Sequence, residues 1–368
     1  MYELATRIDS LGTESAFEVL ARANKLTLEG RDIINLGIGQ PDFKTPEHIV
    51  EAAVKALRDG HHGYTSANGI PECREAVAAD ILKNRGVEVD PGQIIIVPGG
   101  KVTIFFSILI FGQPDAEIIY PNPGFPIYES VINFSGAKAV PMRLHEANNF
   151  SFNAEEVLNL ITPNTRLLII NSPANPTGGY VTRKEMDRLA EGLERSPQVA
   201  VMSDEIYARM LYDGRQHVSL LEYENLRDRL ILLDGWSKTY AMTGWRIGWM
   251  ILPEQLVDAA ERLAQNLYIS APTPNQIAAV KAFDCVEELD RHVKRYKENR
   301  QILLSGLPAD FLGEAAPCDG AFYIYADISA LSVDSISFAK KLLDEAGVAT
   351  TPGVDFDPIN ENRYLRLS

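Results

Sequence analysis

The chain has 368 residues, of which 46% are hydrophobic and 23% are charged, a composition typical of a soluble globular enzyme long enough for two domains. Its 50 acidic and 35 basic residues give a net charge of −15 at pH 7, which argues against nucleic-acid or anionic-membrane partners because both need a basic surface. The three cysteines and six histidines show no metal-ligand spacing and no disulfide framework, so we predict no metal site and a reducing, cytoplasmic setting.

The first residues of the chain do not show the pattern of a signal peptide. Residues 1–11 include Glu3, Arg7 and Asp9 and lack an apolar core, so a signal peptide is not predicted. The longest apolar stretch, around Phe105, is broken by Ser107 and is too short to cross a bilayer.

The first clear helix signal begins at Thr45, a hydroxyl residue that can cap a helix and that is followed by a proline and an acidic residue. Ile49, Ala53 and Leu57 then recur every four residues. This spacing predicts an amphipathic helix with these three residues on its buried face.

Beyond this helix, short continuous apolar runs alternate with helical stretches. Continuous runs are typical of central strands in a mostly parallel sheet that is covered on both faces, whereas alternating runs indicate one solvated face. The runs lie at 94–97, 117–120, 167–170, 199–202, 230–233 and 247–251.

Residues suited to ligand binding follow four of these runs. Gly99 and Gly100 follow the first run, Asn175 the third, Asp204 the fourth and Lys238 the fifth. Because ligands bind outside the carboxyl ends of the strands in open α/β sheets, we expect these residues to meet at one rim of the sheet.

Lys238 stands among small, aromatic and hydroxylic residues, with Ser237 before it and Arg246 in the Gly-Trp-Arg-x-Gly-Trp pattern that follows. An amine in this place can form a Schiff base with an aldehyde cofactor, while a serine and an arginine bind its phosphate. The simpler alternative is a surface lysine in a loop between two strands. The flanking pattern favours the cofactor role.

One long helix is predicted in the last third of the chain. From Val286 to Leu304, apolar residues that include Leu289, Val293 and Tyr296 recur among many charged residues. This spacing indicates an amphipathic helix with one buried face.

Six segments in a fixed order give the chain its resemblance to class I/II aminotransferases, which are enzymes of fold type I that use pyridoxal 5'-phosphate. The resemblance covers nearly the whole chain. Within the family, the chain resembles the bacterial aspartate aminotransferase branch. Each segment alone is weakly specific, but six in order are strongly so. They are LGIGQPDF at 36–43, YTSANGIPE at 64–72, GGK at 99–101, NSPANPTGG at 171–179, SDEIY at 203–207 and the Lys238 segment at 230–249, with Arg-Leu-Ser at 366–368.

The resemblance implies an α/β fold with a mostly parallel seven-stranded sheet in a large domain and a smaller α+β domain. The implied boundaries are an N-terminal arm with part of the small domain at 1–40, the large domain at 41–285, and the interdomain helix with the small domain at 286–368. Family members usually continue past Arg-Leu-Ser with a final helix, so the end of the sequence at Ser368 suggests a shortened chain.

The resemblance also implies roles around the cofactor ring. Lys238 would hold the cofactor covalently and act as general base and acid, and Asp204 would keep the ring nitrogen protonated. Asn175 and Tyr207 would bond the phenolic oxygen. Two simpler readings stay open: Asp204 as the cap of a helix entered at Glu205, and Asn175 as a turn residue.

A phosphate site is implied beside the ring. Gly99, Gly100 and Lys101 stand before a helical stretch, where backbone amides can approach a phosphate. Ser237 and Arg246 complete this anion site, since a guanidinium suits a bidentate contact.

Two aromatic residues match family positions. Phe125 aligns with an aromatic that stacks on the ring, where most members carry tyrosine or tryptophan, and its alternative is an ordinary core residue. Tyr64 matches a tyrosine that reaches the phosphate of the neighbouring subunit's cofactor. This match implies a homodimer with shared active sites, whereas the alternative for Tyr64 is local packing.

Substrate-binding residues are implied as well, for an amino acid and a 2-oxo acid that react in turn by a ping-pong mechanism. Arg366 would hold the α-carboxylate, with the backbone amide of Gly39 and the side chain of Asn175 nearby. Lys101 would face a second carboxylate, which favours aspartate or glutamate as donors. Its alternatives are a solvent-facing lysine or a phosphate contact, so alanine and aromatic donors stay open.

Three other functions compete with this one. A cysteine-conjugate β-lyase on the same fold would use the same residues. A dinucleotide-dependent dehydrogenase is suggested by Gly37 and Gly39, but Asp42 stands where the third glycine of that fingerprint belongs. A catalytically silent regulator of the same fold is disfavoured because Lys238, Asp204 and the arginine at 246 are all present.

Overall fold

The computed structural model describes residues 3–12, 14–312, 315, 316, 318–360 and 362–368. The strands within this part of the chain are numbered in sequence order. They are β1 (Ile34–Asn35), β2 (Ile94–Val97), β3 (Glu117–Asn122), β4 (Lys138–Arg143), β5 (Thr165–Asn171), β6 (Ala200–Asp204), β7 (Leu230–Gly235), β8 (Gly248–Ile251), β9 (Ile324–Asp327), β10 (Val348–Ala349), β11 (Thr351–Pro352) and β12 (Tyr364–Leu367).

The helices are numbered in the same way, and short 3-10 turns join several of them to the strands. The α-helices are α1 (Ser15–Leu28), α2 (Glu47–Arg58), α3 (Pro71–Arg85), α4 (Gly100–Phe111), α5 (Ile127–Ser135), α6 (Ala154–Asn159), α7 (Arg183–Leu193), α8 (Trp236–Thr239), α9 (Glu254–Leu267), α10 (Thr273–Ala282), α11 (Val286–Gly306), α12 (Ala309–Leu312) and α13 (Ser335–Lys341).

A seven-stranded sheet lies at the centre of the molecule, in the order β2-β8-β7-β6-β5-β3-β4. Neighbouring strands are parallel except at β8, which runs antiparallel to both β2 and β7. The predicted α/β fold with a mostly parallel seven-stranded sheet is therefore confirmed. All six predicted apolar runs are strands of this sheet.

Both faces of the sheet are buried, which explains why its strands have continuous apolar sequences. In β2, Ile94 and Ile96 belong to one apolar cluster, while Ile95 and Val97 belong to the cluster on the opposite face. Because side chains alternate between faces along a strand, a strand covered on both sides needs apolar residues at every position. The helices supply the covering layers.

The edge strand β4 is absent from the predicted runs. It pairs only with β3 and carries Lys138, Pro141 and Arg143, so its sequence lacks the apolar continuity of the central strands. A charged and proline-containing sequence is what an edge position tolerates.

The predicted helix after Thr45 is confirmed as α2, but two details of the prediction are wrong. Thr45 does not cap the helix: its hydroxyl donates to the carbonyl oxygen of Ala241 at 2.7 Å and accepts from the indole of Trp245 at 3.0 Å. Leu57 is 52% exposed, whereas Ala56 is buried. In an α-helix, Ala56 is seven residues after Ile49 and lies within about 20° of the same face. Leu57 is eight residues after Ile49 and lies about 80° past that face.

The N-terminal segment packs against the C-terminal part of the chain. β1 pairs with β10 in parallel, and β11, β12 and β9 form a separate antiparallel sheet with its own apolar cluster. The predicted long helix is α11, with Leu289 and Tyr296 buried and Val286 exposed. The domain boundaries near residues 40 and 285 stay predictions.

Candidate active site

A cavity of about 440 Å³ opens at the carboxyl ends of β5, β6 and β7. Its walls include most of the residues predicted for the site, brought together from separate parts of the chain. These are Gly39, Gly100, Lys101, Phe125, Asn175, Asp204, Tyr207, Ser237, Lys238, Arg246 and Arg366. A second cavity of about 450 Å³ lies between α11 and residues 35–42 and contains none of the predicted residues.

Lys238 lies in the short helix α8, directly after β7, and is partly buried. Its Nζ donates to the carbonyl oxygen of Gly39 at 2.6 Å and lies 5.9 Å from the centre of the Phe322 ring. Burial, together with the positive charges of Arg366 and Arg246, lowers the pKa of the Lys238 ammonium to about 8. A neutral amine is therefore accessible near neutral pH, as a nucleophile for a carbonyl group requires.

Asp204 ends β6 and is 4% exposed. Its carboxylate accepts hydrogen bonds from the hydroxyl of Tyr128 at 2.7 Å and from the backbone N–H of Ile206 at 3.2 Å. Burial raises the pKa of this carboxyl to about 6, against the effect of these two donors. The helix-cap alternative is wrong because a turn, and not a helix, follows Asp204.

Asp204 thus has neutral donors, and no ion pair with it is found among the described residues. Ionisation of a buried carboxyl is costly unless a cation stands nearby. A bound ligand with a protonated nitrogen would supply that cation.

Two tyrosine side chains in the cavity wall form a hydrogen bond with each other. The hydroxyls of Tyr207 and Tyr323 are 2.6 Å apart, and both rings are buried. Burial raises the pKa of both phenols, so both stay protonated at neutral pH and can act as hydrogen-bond donors. Tyr323 was not predicted from the sequence.

Arg366, in β12, is only 4% exposed. Its guanidinium donates from Nη1 to Oδ1 of Asn175 at 3.0 Å and from Nη2 to the carbonyl oxygen of Gly37 at 2.8 Å. The group lies 4.8 Å from the Tyr323 ring centre and 4.6 Å from that of Phe356. The buried Nε has no hydrogen-bond partner within the described residues, so donor capacity is left for a carboxylate ligand.

The predicted phosphate side is built around a close approach of two chain segments. Gly99 has φ 90° and directly precedes α4, and a Cβ atom at this position would lie 2.3 Å from Nη2 of Arg246. Glycine is therefore required for Arg246 to reach the start of α4. Ser237 is buried on the same side, and Arg246 is anchored by a 2.8 Å bond from Nη1 to the carbonyl oxygen of Thr243.

Lys101 lines the cavity, but its charge is already paired. Its Nζ forms an ion pair with the carboxylate of Glu14, just before α1, and lies 5.2 Å from the centre of the Phe125 ring. Phe125 packs edge-on against Tyr128, with ring centres 6.0 Å apart. The pairing with Glu14 was not predicted, and the role of Lys101 toward substrate, phosphate or solvent stays a prediction.

Tyr64 is a predicted site residue that does not line the cavity. Its side chain is 82% exposed and does not contribute to the walls. The alternative of local packing for Tyr64 is therefore not supported within one chain.

A buried ion network lies behind the rim of the cavity. Arg85, at the end of α3, contacts Asp234 at 2.5 Å and Glu205 at 3.3 Å, and His217 contacts Glu205 at 2.8 Å. Burial opposes ionisation of Glu205, but the Arg85 charge and His217 outweigh it and lower the pKa of the carboxyl to about 2. The network ties together the ends of β6 and β7, next to Asp204 and to the helix α8 that carries Lys238.

Sequence reasoning missed several residues of the cavity wall. Tyr128 follows Phe125 by one helical turn, and Asn171 opens the NSPANPTGG segment, so local spacing held some signal for both. Glu14 and Tyr323 are distant in sequence from the residues they contact, and no local pattern marks them.

No group of three or more potential metal ligands occurs among the described residues. In the same part of the chain, no helix is both long and apolar enough to cross a membrane.

A model of the family described as aminotransferase class I and II matches residues 31–368. The valine–pyruvate aminotransferase of Mycobacterium tuberculosis is 36% identical over 95% of this chain and 89% of its own length. The aspartate aminotransferase of Bacillus subtilis is 32% identical over 96% of this chain and 92% of its own length. A crystal structure of an aminotransferase from Mycobacterium tuberculosis superposes with a TM-score of 0.94 at 34% identity, covering 100% of this chain and 94% of that one.

Proposed function

This chain belongs to the aminotransferase class I and II family and is a transaminase, and we propose that it works with pyridoxal 5'-phosphate, the cofactor of that family, held covalently by Lys238. The observation that carries this proposal is the convergence of Lys238, Asp204, Arg246 and Arg366 on one cavity. An amine, a buried carboxylate and two guanidinium groups are the chemical set that an aldehyde cofactor and an amino-acid substrate need.

The cavity suits this cofactor in three respects. Asp204 is a buried carboxylate that calls for a cationic partner, as the protonated ring nitrogen would be. Arg246 and Ser237, beside Gly99 at the start of α4, suit a phosphate. The volume of about 440 Å³ falls in the usual range for small-molecule sites.

The roles of the side chains follow from their positions. When bound, the cofactor supplies a sink for the electrons released at the substrate α-carbon. Lys238 Nζ takes the proton from the α-carbon of the amino acid and returns one to the α-carbon of the oxo acid in the reverse half-reaction. A pKa of about 8 suits both roles near neutral pH.

The other groups orient the reactants. Asp204 would hold a proton on the ring nitrogen, and Phe125 would stack on the ring. Tyr207 and Asn175 would bond the phenolic oxygen, while Arg366 would receive the α-carboxylate with the Gly39 amide nearby. A hydrogen bond between the Tyr207 and Tyr323 hydroxyls, 2.6 Å apart, holds the two side chains together.

Arg366→Ala should lower kcat/KM by about 100-fold for every amino donor, because charge-assisted hydrogen bonds contribute about 1.5–3 kcal/mol each. Steady-state kinetics with several donors measures this. Arg366→Lys is the matched control: it keeps the charge but loses the planar fork, so most of the loss should persist. A loss confined to one donor would place Arg366 at the side chain of the substrate and not at its α-carboxylate.

We further propose a homodimer in which Tyr64 of each chain reaches the cofactor phosphate of its partner. The exposure of this aromatic side chain, 82%, and its absence from the cavity wall of its own chain support this. Each active site would then be composite.

Mixing a Tyr64→Ala chain with a Lys238→Ala chain should restore activity, since one site of each hybrid dimer would keep both residues. Random exchange at equal amounts predicts up to about one quarter of the wild-type rate. The two variants measured separately give the baseline. Proven hybrids with no gain over that baseline would assign Tyr64 to its own subunit.

The transaminase and the β-lyase on this fold differ in their products. With pyridoxal 5'-phosphate bound and no acceptor present, a transaminase converts one equivalent of amino donor to its oxo acid, and its absorption spectrum changes once. A cysteine-conjugate β-lyase would release pyruvate and ammonia continuously. Turnover of the second kind, without an acceptor, would overturn the proposal.

We propose a cytoplasmic location on the chemistry of the cysteines. Cys73, Cys285 and Cys318 are all free and buried. Proteins that work in oxidising compartments more often pair such residues.

A further inference from the structure

Glu14 places a negative charge inside the cavity that holds Lys238 and Arg366. It is the residue just before α1, yet its carboxylate does not bond the N–H groups of that helix. Instead it forms an ion pair with Lys101, and both side chains belong to the cavity wall. The exposed fractions of these side chains, 41% for Lys101 and 21% for Glu14, leave the pair accessible to a ligand that enters the cavity.

Apolar side chains form part of the same cavity wall. They are Ala16 and Phe17 of α1, Ile38, Ile104 of α4 and Phe125. The Lys101 ammonium also rests near the face of the Phe125 ring, at 5.2 Å from its centre. A substrate side chain that enters here meets hydrophobic surface and one neutral ion pair.

A second carboxylate on the substrate would meet an unfavourable arrangement. To reach Lys101 it would have to share the ammonium with Glu14, and the two carboxylates would then lie side by side. Like charges at such distances repel, and a desolvated carboxylate without a partner is costly. An uncharged side chain leaves the Lys101–Glu14 pair intact and buries apolar surface.

We infer that the Glu14–Lys101 pair selects amino donors with uncharged, apolar side chains and disfavours aspartate and glutamate. The inference rests on the proposed function, because it concerns the substrate of the same site. It reverses the expectation from Lys101 alone, which favoured dicarboxylates. The reason is that Lys101 already pairs with Glu14, a contact that no sequence pattern indicated.

The test compares kcat/KM for leucine, phenylalanine, aspartate and glutamate in the wild-type holoenzyme and in three variants. Glu14→Gln frees Lys101 without changing the shape of the site. Glu14→Gln combined with Lys101→Met then removes the freed charge. Glu18→Gln is the matched control, since Glu18 is an exposed residue of α1 that does not line the cavity.

The wild type should favour leucine or phenylalanine over aspartate by at least tenfold. Glu14→Gln should raise the ratio of aspartate to leucine by about 10- to 100-fold, and the added Lys101→Met should cancel that gain. Glu18→Gln should leave the ratio unchanged. Because the readout is a ratio between donors, a general loss of folding or of cofactor does not affect it.

Binding of unreactive acids gives a second readout. Calorimetry should show succinate binding more tightly to the Glu14→Gln variant than to the wild type, with 4-methylpentanoate nearly unchanged. An active wild type that prefers aspartate, or a ratio that Glu14→Gln does not move, would overturn this inference alone. If no donor yields an oxo acid with any of these proteins, the proposed function falls, and this inference falls with it.

Discussion

Lys238→Ala is expected to abolish transamination, with a fall in kcat/KM of about 10⁴-fold or more. The substitution removes both the amine that would bind the cofactor covalently and the group that would move the α-proton. Because the Lys238 ammonium is partly buried and its pKa is lowered to about 8, its loss should not destabilise the fold. Steady-state kinetics and thermal unfolding, measured side by side, separate the two effects.

Two other variants serve as controls for this experiment. Lys238→Arg keeps a positive charge but has no nucleophilic amine, so it should be as inactive as Lys238→Ala. Lys83→Ala removes an exposed lysine of α3 and should leave the rate unchanged. If the activity of Lys238→Ala were within tenfold of that of the wild type, this lysine would take no part in the chemistry.

The second large effect is expected at Asp204. Asp204→Ala should leave the cofactor bound yet lower kcat by about 10³-fold, because the ring nitrogen would lose the carboxylate that keeps it protonated. With the cofactor bound, the variant should also lose about 1–3 kcal/mol of stability, since the hydroxyl of Tyr128 would be left buried without its acceptor. Kinetics, cofactor absorbance and denaturant unfolding report these three quantities.

A matched pair of variants isolates the charge of Asp204 from its hydrogen bonds. Asp204→Asn keeps an acceptor for Tyr128 but carries no charge, so it should be nearly as slow as Asp204→Ala while remaining more stable. Tyr128→Phe removes the hydrogen bond and keeps the charge, so it should cost little in rate. A fast Asp204→Asn enzyme would show that the charge is unnecessary and that the proposed orientation of the ring is wrong.

The central strands could be predicted because burial on both faces forces apolar residues at every position, as in β2 and β5. The same rule fails at the edge, where β4 has one neighbour and a mixed sequence. Helix α2 was predictable from its periodicity, but the role of Thr45 was not. Its hydroxyl is used by Ala241 and Trp245, which local sequence does not bring near.

Some residues of the candidate site could also be predicted from the sequence, and others could not. Residues that follow strands, such as Asn175, Asp204 and Lys238, could be predicted to meet because parallel strands deliver their carboxyl ends to one edge. The contact between Lys101 and Glu14 joins residues 87 positions apart, and it depends on where α1 packs. No periodicity or motif encodes such a contact. The part of the cavity that would receive the substrate side chain could therefore be interpreted only from the structure.

The most direct test of the account is chemical reduction of the protein loaded with pyridoxal 5'-phosphate. Borohydride converts the bond between cofactor and lysine into a stable phosphopyridoxyl-lysine, which proteolysis and mass spectrometry then locate. We predict one label per chain, on Lys238. A label on any other lysine, or no label on protein shown to contain the cofactor, would contradict the assignment of Lys238 and with it the proposed mechanism.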